Sequence, residues 1–275
     1  MKKLIVTPLG TVSPKCYKDK NCPGFLIESG DKKILLDCGN GVSRLFDMEK
    51  DLKDLIIIIS HLHKDHYSDL SCFGYDSGIL KNLGYLNKKV KVYIPEGDTI
   101  EVEKYYSDED SWGTRKEIKN LPDYDYLMNF GDENHLEFIP YSDEDIISHG
   151  NMKVTFEKNP HQLITYSAKV TNTNNTIVYS SDTGFEENCL EEFAKNVDLL
   201  ICESTFLRGQ NKSNNNHLYA YEAGMIAKLA NVKKLLLTHF YPTIDKELYV
   251  KEAKEYFENT EAAIEGKVYK IGGKK

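Results

Sequence analysis

One run of residues constrains this chain more than any other. Leu55 to Ser60 reads LIIIIS and is followed at once by His61-Leu62-His63-Lys64-Asp65-His66. Four consecutive isoleucines are stiff at χ1 and favour extended backbone. A continuous apolar run without alternation is the pattern of a strand buried on both faces. The polar segment therefore emerges at that strand's C-terminal end, where α/β proteins tend to bind ligands. Three imidazoles and one carboxylate within six residues suit one or two transition-metal ions, with zinc, iron and manganese all compatible. The plain alternative is a solvated polar loop.

The rest of the chain supplies layers to bury such a strand. KLIVT, GFLIES and KKILLDC read as meandering strands separated by Gly, Asp and Asn, with a short helix expected over Asn40 to Asp47. A helix near Asp69 to Leu83 and the strand KVKVYIP follow the polar loop. In the second half MKVTFE, LITYSAKV, TIVYSS, DLLICES, LLLTHF and KVYKI read as strands. Helices are expected over Glu186 to Asn196, His217 to Ala230 and Lys246 to Phe257. Each half starts with antiparallel strands and moves into alternating strand and helix, so two sheets with helices outside is the natural packing.

Charge is uneven. Residues 101–145 hold 14 Asp/Glu against 4 Lys/Arg, while the other residues carry 29 against 31. No basic stripe appears, which argues against a stable nucleic-acid complex. The irregular, acidic stretch at about 98–150 carries Tyr105, Tyr106, Trp112, Tyr124, Tyr126 and Phe130 among its charges. It reads as an insertion in a single domain spanning 1–275. Its aromatics either pack on the core or form a lid or homodimer contact beside the site. The longest apolar run has five residues, far short of the roughly 20 a membrane helix needs, and MKKLIVTPLG is too short an apolar start for a signal peptide. Six cysteines without a C-x-x-C pair suggest reduced thiols and a cytoplasmic location.

A metal site needs ligands from elsewhere. His161 precedes the strand QLITYSAKV, Asp182 follows TIVYSS, and His239 follows LLLT. Taken together, these residues and the His-x-His-x-Asp-His run resemble the metallo-β-lactamase superfamily over nearly the whole chain. That resemblance implies a four-layered αβ/βα sandwich with two metal ions at one edge. It implies His61, His63 and His161 at the first metal, Asp65, His66 and His239 at the second, and Asp182 bridging both. Asp37 in LLDCG matches a supporting aspartate outside the ligand set. An Asp bridge in place of Cys argues against the antibiotic-hydrolysing branch. Glu203 in Glu203-Ser204-Thr205-Phe206, and His217 opening HLYAYEAGMIAKLA 22 residues before His239, resemble the ribonuclease Z-like phosphodiesterases. There the equivalent His acts beside the metals on the phosphate or the leaving oxygen.

The pattern departs from ribonuclease Z in one telling way. Only 20 residues separate His161 from Asp182, leaving no room for the long arm that grips tRNA. Tyr67-Ser68-Asp69-Leu70 also replaces the usual Gly-Leu-Pro. The expected function is a dinuclear-metal phosphodiesterase acting on small nucleotides, cyclic mononucleotides included, with Asp65 and His217 as catalytic groups. Superfamily relatives that hydrolyse cyclic nucleotides, some of them viral, share this arm-less design. The alternatives are tRNA 3′ processing, hydrolysis of an ester, thioester or lactone on the same metals, and a metal-stabilised interaction module without activity.

Overall fold

The computed structural model describes residues 3–97, 99–108, 111–133 and 135–272. The first sheet is built from β1 (Leu4–Gly10), β2 (Gly24–Ser29), β3 (Lys32–Leu36), β4 (Leu55–Ile58) and β5 (Val90–Pro95). A separate hairpin, β6 (Thr99–Asp108) with β7 (Ser111–Asn120), follows, and β8 (Leu136–Tyr141) returns to the first sheet. The second sheet takes β9 (Ile147–His149), β10 (Met152–Lys158), β11 (Tyr166–Thr171), β12 (Thr176–Tyr179), β13 (Leu199–Glu203), β14 (Leu235–Thr238) and β15 (Thr260–Ala262). The last strand, β16 (Tyr269–Ile271), crosses back to pair with β1.

The strand orders are β16-β1-β2-β3-β4-β5-β8 and β15-β14-β13-β12-β11-β10-β9. In each sheet three antiparallel pairings give way to three parallel ones. Strand β4 shows why its sequence does not alternate. Ile56 and Ile58 face the other sheet, packing with Val154, Val170 and Ile201, while Leu55 and Ile57 face outward against Phe73 and Leu80 of the helix Leu70–Asn82. On the far side Leu200 and Leu237 pack outward on Ala223 and Ile226 of the helix Ala220–Leu229 and on Tyr249 of the helix Lys246–Lys254. Helix, sheet, sheet and helix make the expected four-layered αβ/βα sandwich.

The acidic stretch is more regular than its sequence suggests. Strands β8 and β9 lie at the edges of the two main sheets, so the part outside the sheets is 99–133: the hairpin and the helix Pro122–Glu133. Leu127 of that helix is buried, with Tyr124, Met128 and Phe130 packed partly against the first sheet's outer core. Tyr126 is exposed. The side chains of Tyr105, Tyr106 and Trp112 lie outside those described. Two expected helices shrink: a 3-10 turn at Val42–Leu45 stands for Asn40 to Asp47, and Leu190–Phe193 for Glu186 to Asn196. Among the described residues no helix is long and apolar enough to cross a membrane.

Candidate metal centre

The residues singled out above converge at one edge of the two sheets. Asp37 leaves β3, the His61–His66 segment leaves β4, Asp182 follows β12, Glu203 ends β13, and His239 follows β14. His161 sits in the loop between β10 and β11. Asp37, Ser181 and His239 have φ of 60°, 51° and 62°. Left-handed backbone at a non-glycine residue costs of order 1–3 kcal/mol and persists where the surroundings impose it. Here it turns the chain sharply at three strand ends and aims the side chains inward.

Asp182 belongs to one ligand-type cluster and faces a second. Ligand atoms of His61, His63, His161 and Asp182 lie within 4.8 Å of one another, and so do those of Asp65, His66 and His239. His63 Nδ1 is 3.0 Å from His61 Nε2 and 3.2 Å from His161 Nε2. Asp182 divides its oxygens: Oδ2 faces His61 Nε2 at 3.6 Å, and Oδ1 faces His66 and His239 Nε2 at 3.3 and 3.0 Å. A bridging carboxylate needs that division.

The fit of this pocket to metal rests on its unpaired atoms. His66 Nε2, His239 Nε2 and Asp182 Oδ1 are buried and, though the oxygen lies only 3.3 and 3.0 Å from those nitrogens, make no well-directed hydrogen bond. A buried unsatisfied polar atom ordinarily costs about 1–3 kcal/mol, so three facing one another mark a place for a cation. Protonation points the same way. Burial pushes His61 well below its ordinary pKa, burial and His161 lower His63 to about 4, and burial lowers His239. Neutral imidazoles are what a divalent ion requires. Burial disfavours charge on His66 too, but Asp182, Asp37 and Asp65 outweigh it and hold that imidazole well above its ordinary value. Three carboxylates around one imidazole attract a positive charge, whether a proton or a metal ion. Asp182 is buried, which alone would raise its pKa, yet His239 and His66 keep it well below the usual carboxylate range.

Outer groups set the ligands' tautomers. Asp37 accepts hydrogen bonds from Ser60 N–H (2.7 Å), Ser60 Oγ (2.9 Å), Tyr179 Oη (2.7 Å) and His66 Nδ1 (2.7 Å). His161 Nδ1 donates to the Asn216 carbonyl at 2.9 Å, leaving Nε2 for the cluster. Ser13 Oγ donates to Asp65 Oδ2 at 2.7 Å. Asp37 thus holds His66 from outside the cluster, and Ser13, Tyr179 and Thr205 are further contacts that sequence reasoning passed over. Tyr179 alone carried a signal, because a tyrosine in a buried strand needs a partner for its hydroxyl.

Glu203 is the other hub. Its Oε1 accepts from Thr183 N–H (3.0 Å) and His217 Nδ1 (2.9 Å), and its Oε2 from Thr205 N–H (3.1 Å) and Oγ1 (2.8 Å). Thr205 Oγ1 also meets His239 Nδ1 at 2.8 Å. One carboxylate therefore orients both His217 and, through Thr205, a ligand imidazole. His217 does not open a helix as expected. The helix starts at Ala220, and a loop holds the His217 ring 3.8 Å from Asp182, in a third cluster with Asp182 and His239. Burial lowers the His217 pKa, but Glu203 and Asp182 raise it more, to about 9, so its carboxylate neighbours favour the protonated ring.

Comparison with known proteins agrees with this architecture. Residues 4–258 match the family model described as anti-Pycsar protein Apyc1. The chain is 29% identical to a Bacillus subtilis protein named "Probable metallo-hydrolase YhfI", covering 92% of this chain and 93% of that one. It is 27% identical to ribonuclease Z of Saccharolobus solfataricus, covering 90% and 93%. The crystal structure of YhfI, titled a metallo-beta-lactamase fold protein, superposes with a TM-score of 0.81 at 24% identity, covering 98% of this chain and all of that one. The short form of human tRNase Z does so at 0.69 and 18% identity, covering 98% and 99%. The chain therefore belongs to the anti-Pycsar protein Apyc1 family, a metallo-hydrolase lineage of the metallo-β-lactamase fold related in sequence to ribonuclease Z.

Proposed function

We propose that this chain is a phosphodiesterase that hydrolyses small nucleotides, cyclic mononucleotides among them, at a centre of two divalent ions. The observation that carries this reading is the placement of His217, held at 2.9 Å by Glu203 beside Asp182, where two carboxylates favour its protonated form. A phosphodiester is an anion whose leaving oxygen needs a proton, and a fixed imidazolium meets both needs. Neutral esters and lactones need no such cation there. His61, His63, His161 and Asp182 would hold one ion, and Asp65, His66, His239 and Asp182 the other. Zinc, manganese or iron in those places would supply Lewis acidity and activate a water. Asp65 keeps one oxygen on the Ser13 hydroxyl, leaving the other to accept a proton from the attacking water. His217 then hands its proton to the departing oxygen, and Glu203 keeps the ring oriented throughout.

The preference for small substrates is supported by charge beside this centre. Lys64, inside the ligand segment, pairs with Asp123 of the acidic helix at 2.7 Å. This pair sets Asp123 beside the ligand segment, where its charge would repel a long RNA backbone. As a lid or a contact in a homodimer the acidic 99–133 segment would restrict entry further. The relationship to ribonuclease Z keeps tRNA 3′ processing as the second reading.

The test compares hydrolysis of cyclic mononucleotides and bis(p-nitrophenyl) phosphate with a lactone and thioester panel and a precursor tRNA. His217→Ala should retain metal and lose roughly 10²-fold or more in phosphodiester turnover, the scale for a positioned acid. Hydrolysis confined to lactones or thioesters would overturn the reading. Efficient maturation of precursor tRNA would promote the second one.

A further inference from the structure

The loop between β1 and β2 carries two thiols that the metal centre does not use. Cys16 and Cys22 hold their sulfurs 4.0 Å apart. Both lean on one carbonyl: the Cys16 thiol donates to Asn40 O at 2.7 Å, and Cys22 N–H donates to the same oxygen at 2.9 Å. Between them the chain doubles back, with Tyr17 and Lys20 exchanging N–H···O=C bonds of 3.1 and 3.0 Å. A closed turn and a shared acceptor therefore fix the approach of the sulfurs. Cys16 is half-buried and open to small reagents, while Cys22 is buried behind it.

We propose that Cys16 and Cys22 are a redox-modification site, a dithiol that peroxide converts reversibly to a disulfide. The bond requires an S–S separation of about 2.05 Å, so the sulfurs must close by about 2 Å, a movement on the scale of a side-chain rotation in a surface loop. In the first step the Cys16 sulfur, as thiolate, attacks one peroxide oxygen. The O–O bond breaks, the departing hydroxide takes up the thiol proton as water, and Cys16 is left as the sulfenic acid. In the second step the Cys22 sulfur attacks the Cys16 sulfur. The S–O bond breaks, and hydroxide leaves with the Cys22 proton as a second water. The two thiols lose two electrons and the peroxide gains them.

The position gives the modification a route to the centre. Oxidation removes the thiol donor from Asn40 O and tightens the loop that begins at Ser13, whose hydroxyl holds Asp65 Oδ2. Gly39 is packed between the two regions: a Cβ placed on it would meet Cys22 Cβ at 2.8 Å and the Asp65 carbonyl at 2.1 Å. Strain at Cys22 thus has a tightly packed path to the backbone of Asp65.

The test treats metal-loaded protein with hydrogen peroxide, denatures it, titrates free thiols and maps peptides without reduction. The six thiols should fall by two, with the Cys16 and Cys22 peptides joined and lighter by two hydrogens, and dithiothreitol should restore both. Cys22→Ser should leave Cys16 as a sulfenic acid that dimedone captures, and Cys16→Ser should abolish the loss. Six intact thiols at a peroxide dose that oxidises free glutathione, a different cysteine pairing, or an unchanged loss in both serine variants would each overturn the proposal. Because the readout is thiol chemistry, the result does not depend on which substrate the enzyme takes.

Discussion

Tyr179 shows how much of the centre depends on groups that never reach it. Its hydroxyl spends its hydrogen bond on Asp37, which also holds His66. Tyr179→Phe keeps the ring but removes that donor, and loss of such an outer partner typically weakens metal binding about 10–100-fold. Competition with a chromophoric chelator measures this; wild-type affinity would show that Ser60 and His66 suffice to hold Asp37. His217 and Glu203 make a second prediction, about pH. A pKa raised to about 9 means the ring is protonated through neutrality and loses its proton as pH rises through that value. Bound divalent ions push the same pKa down, so turnover should fall on an alkaline limb at or below about pH 9. Glu203→Gln removes the charge that raises it and should move the limb to lower pH in a kcat–pH profile. An unmoved limb would separate the limb from His217. At this scale most candidate ligands were legible in the sequence because His61 to His66 form a dense His run and Asp182 and His239 follow apolar strands, whereas His161 stands in a loop ahead of a strand. Ser13 and Tyr179 were not, because their partners lie 52 and 142 residues away.

Elements were legible where burial is two-sided and illegible where polarity and aromatics mix. Strands β4, β13 and β14 announce themselves as unbroken apolar runs because both faces are covered. The helix Pro122–Glu133 hides, since aspartates and the exposed Tyr126 interleave its stripe of Tyr124, Leu127 and Met128, and among its described side chains Leu127 alone is fully buried. Topology explains why it must exist. Strands β5 and β8 are parallel neighbours, and a parallel pair needs a crossover of a dozen or more residues, usually helical. The β6–β7 hairpin is additional to that need. Leu127→Ala should therefore cost about 2–5 kcal/mol, the usual range for a buried leucine, lowering Tm by roughly 5–15 °C in a chain of this size. Replacing 99–120 with a short Gly/Ser linker should leave Tm within a few degrees. Calorimetry on both variants distinguishes crossover from appendage, and the reverse ranking would make the hairpin the structural part.

The whole molecule is two half-sandwiches joined by an apolar interface and meeting, at one edge, in the His/Asp clusters of the candidate metal centre. One sheet contributes His61, His63, Asp65 and His66; the other contributes Asp182 and His239 from its strand ends and His161 from a loop. On the proposed two-ion centre, ions bound there would link the halves and stabilise the native state by mass action, since an unfolded chain does not assemble the seven groups. At a free concentration 100 times the dissociation constant a single such site contributes about 2.7 kcal/mol, or roughly 5–10 °C of Tm at this chain length. Removing metal with a chelator should lower Tm by at least that much, and re-addition of zinc or manganese should restore it. Asp182 touches both clusters, so Asp182→Ala should reduce occupancy of both ions and nearly abolish the chelator-induced shift. His161→Ala, which belongs to one cluster, should leave about one equivalent and part of the shift. Metal analysis paired with calorimetry checks both variants. If Asp182→Ala keeps one tightly bound ion, its carboxylate serves a single metal, and the division of its two oxygens between the clusters has another cause.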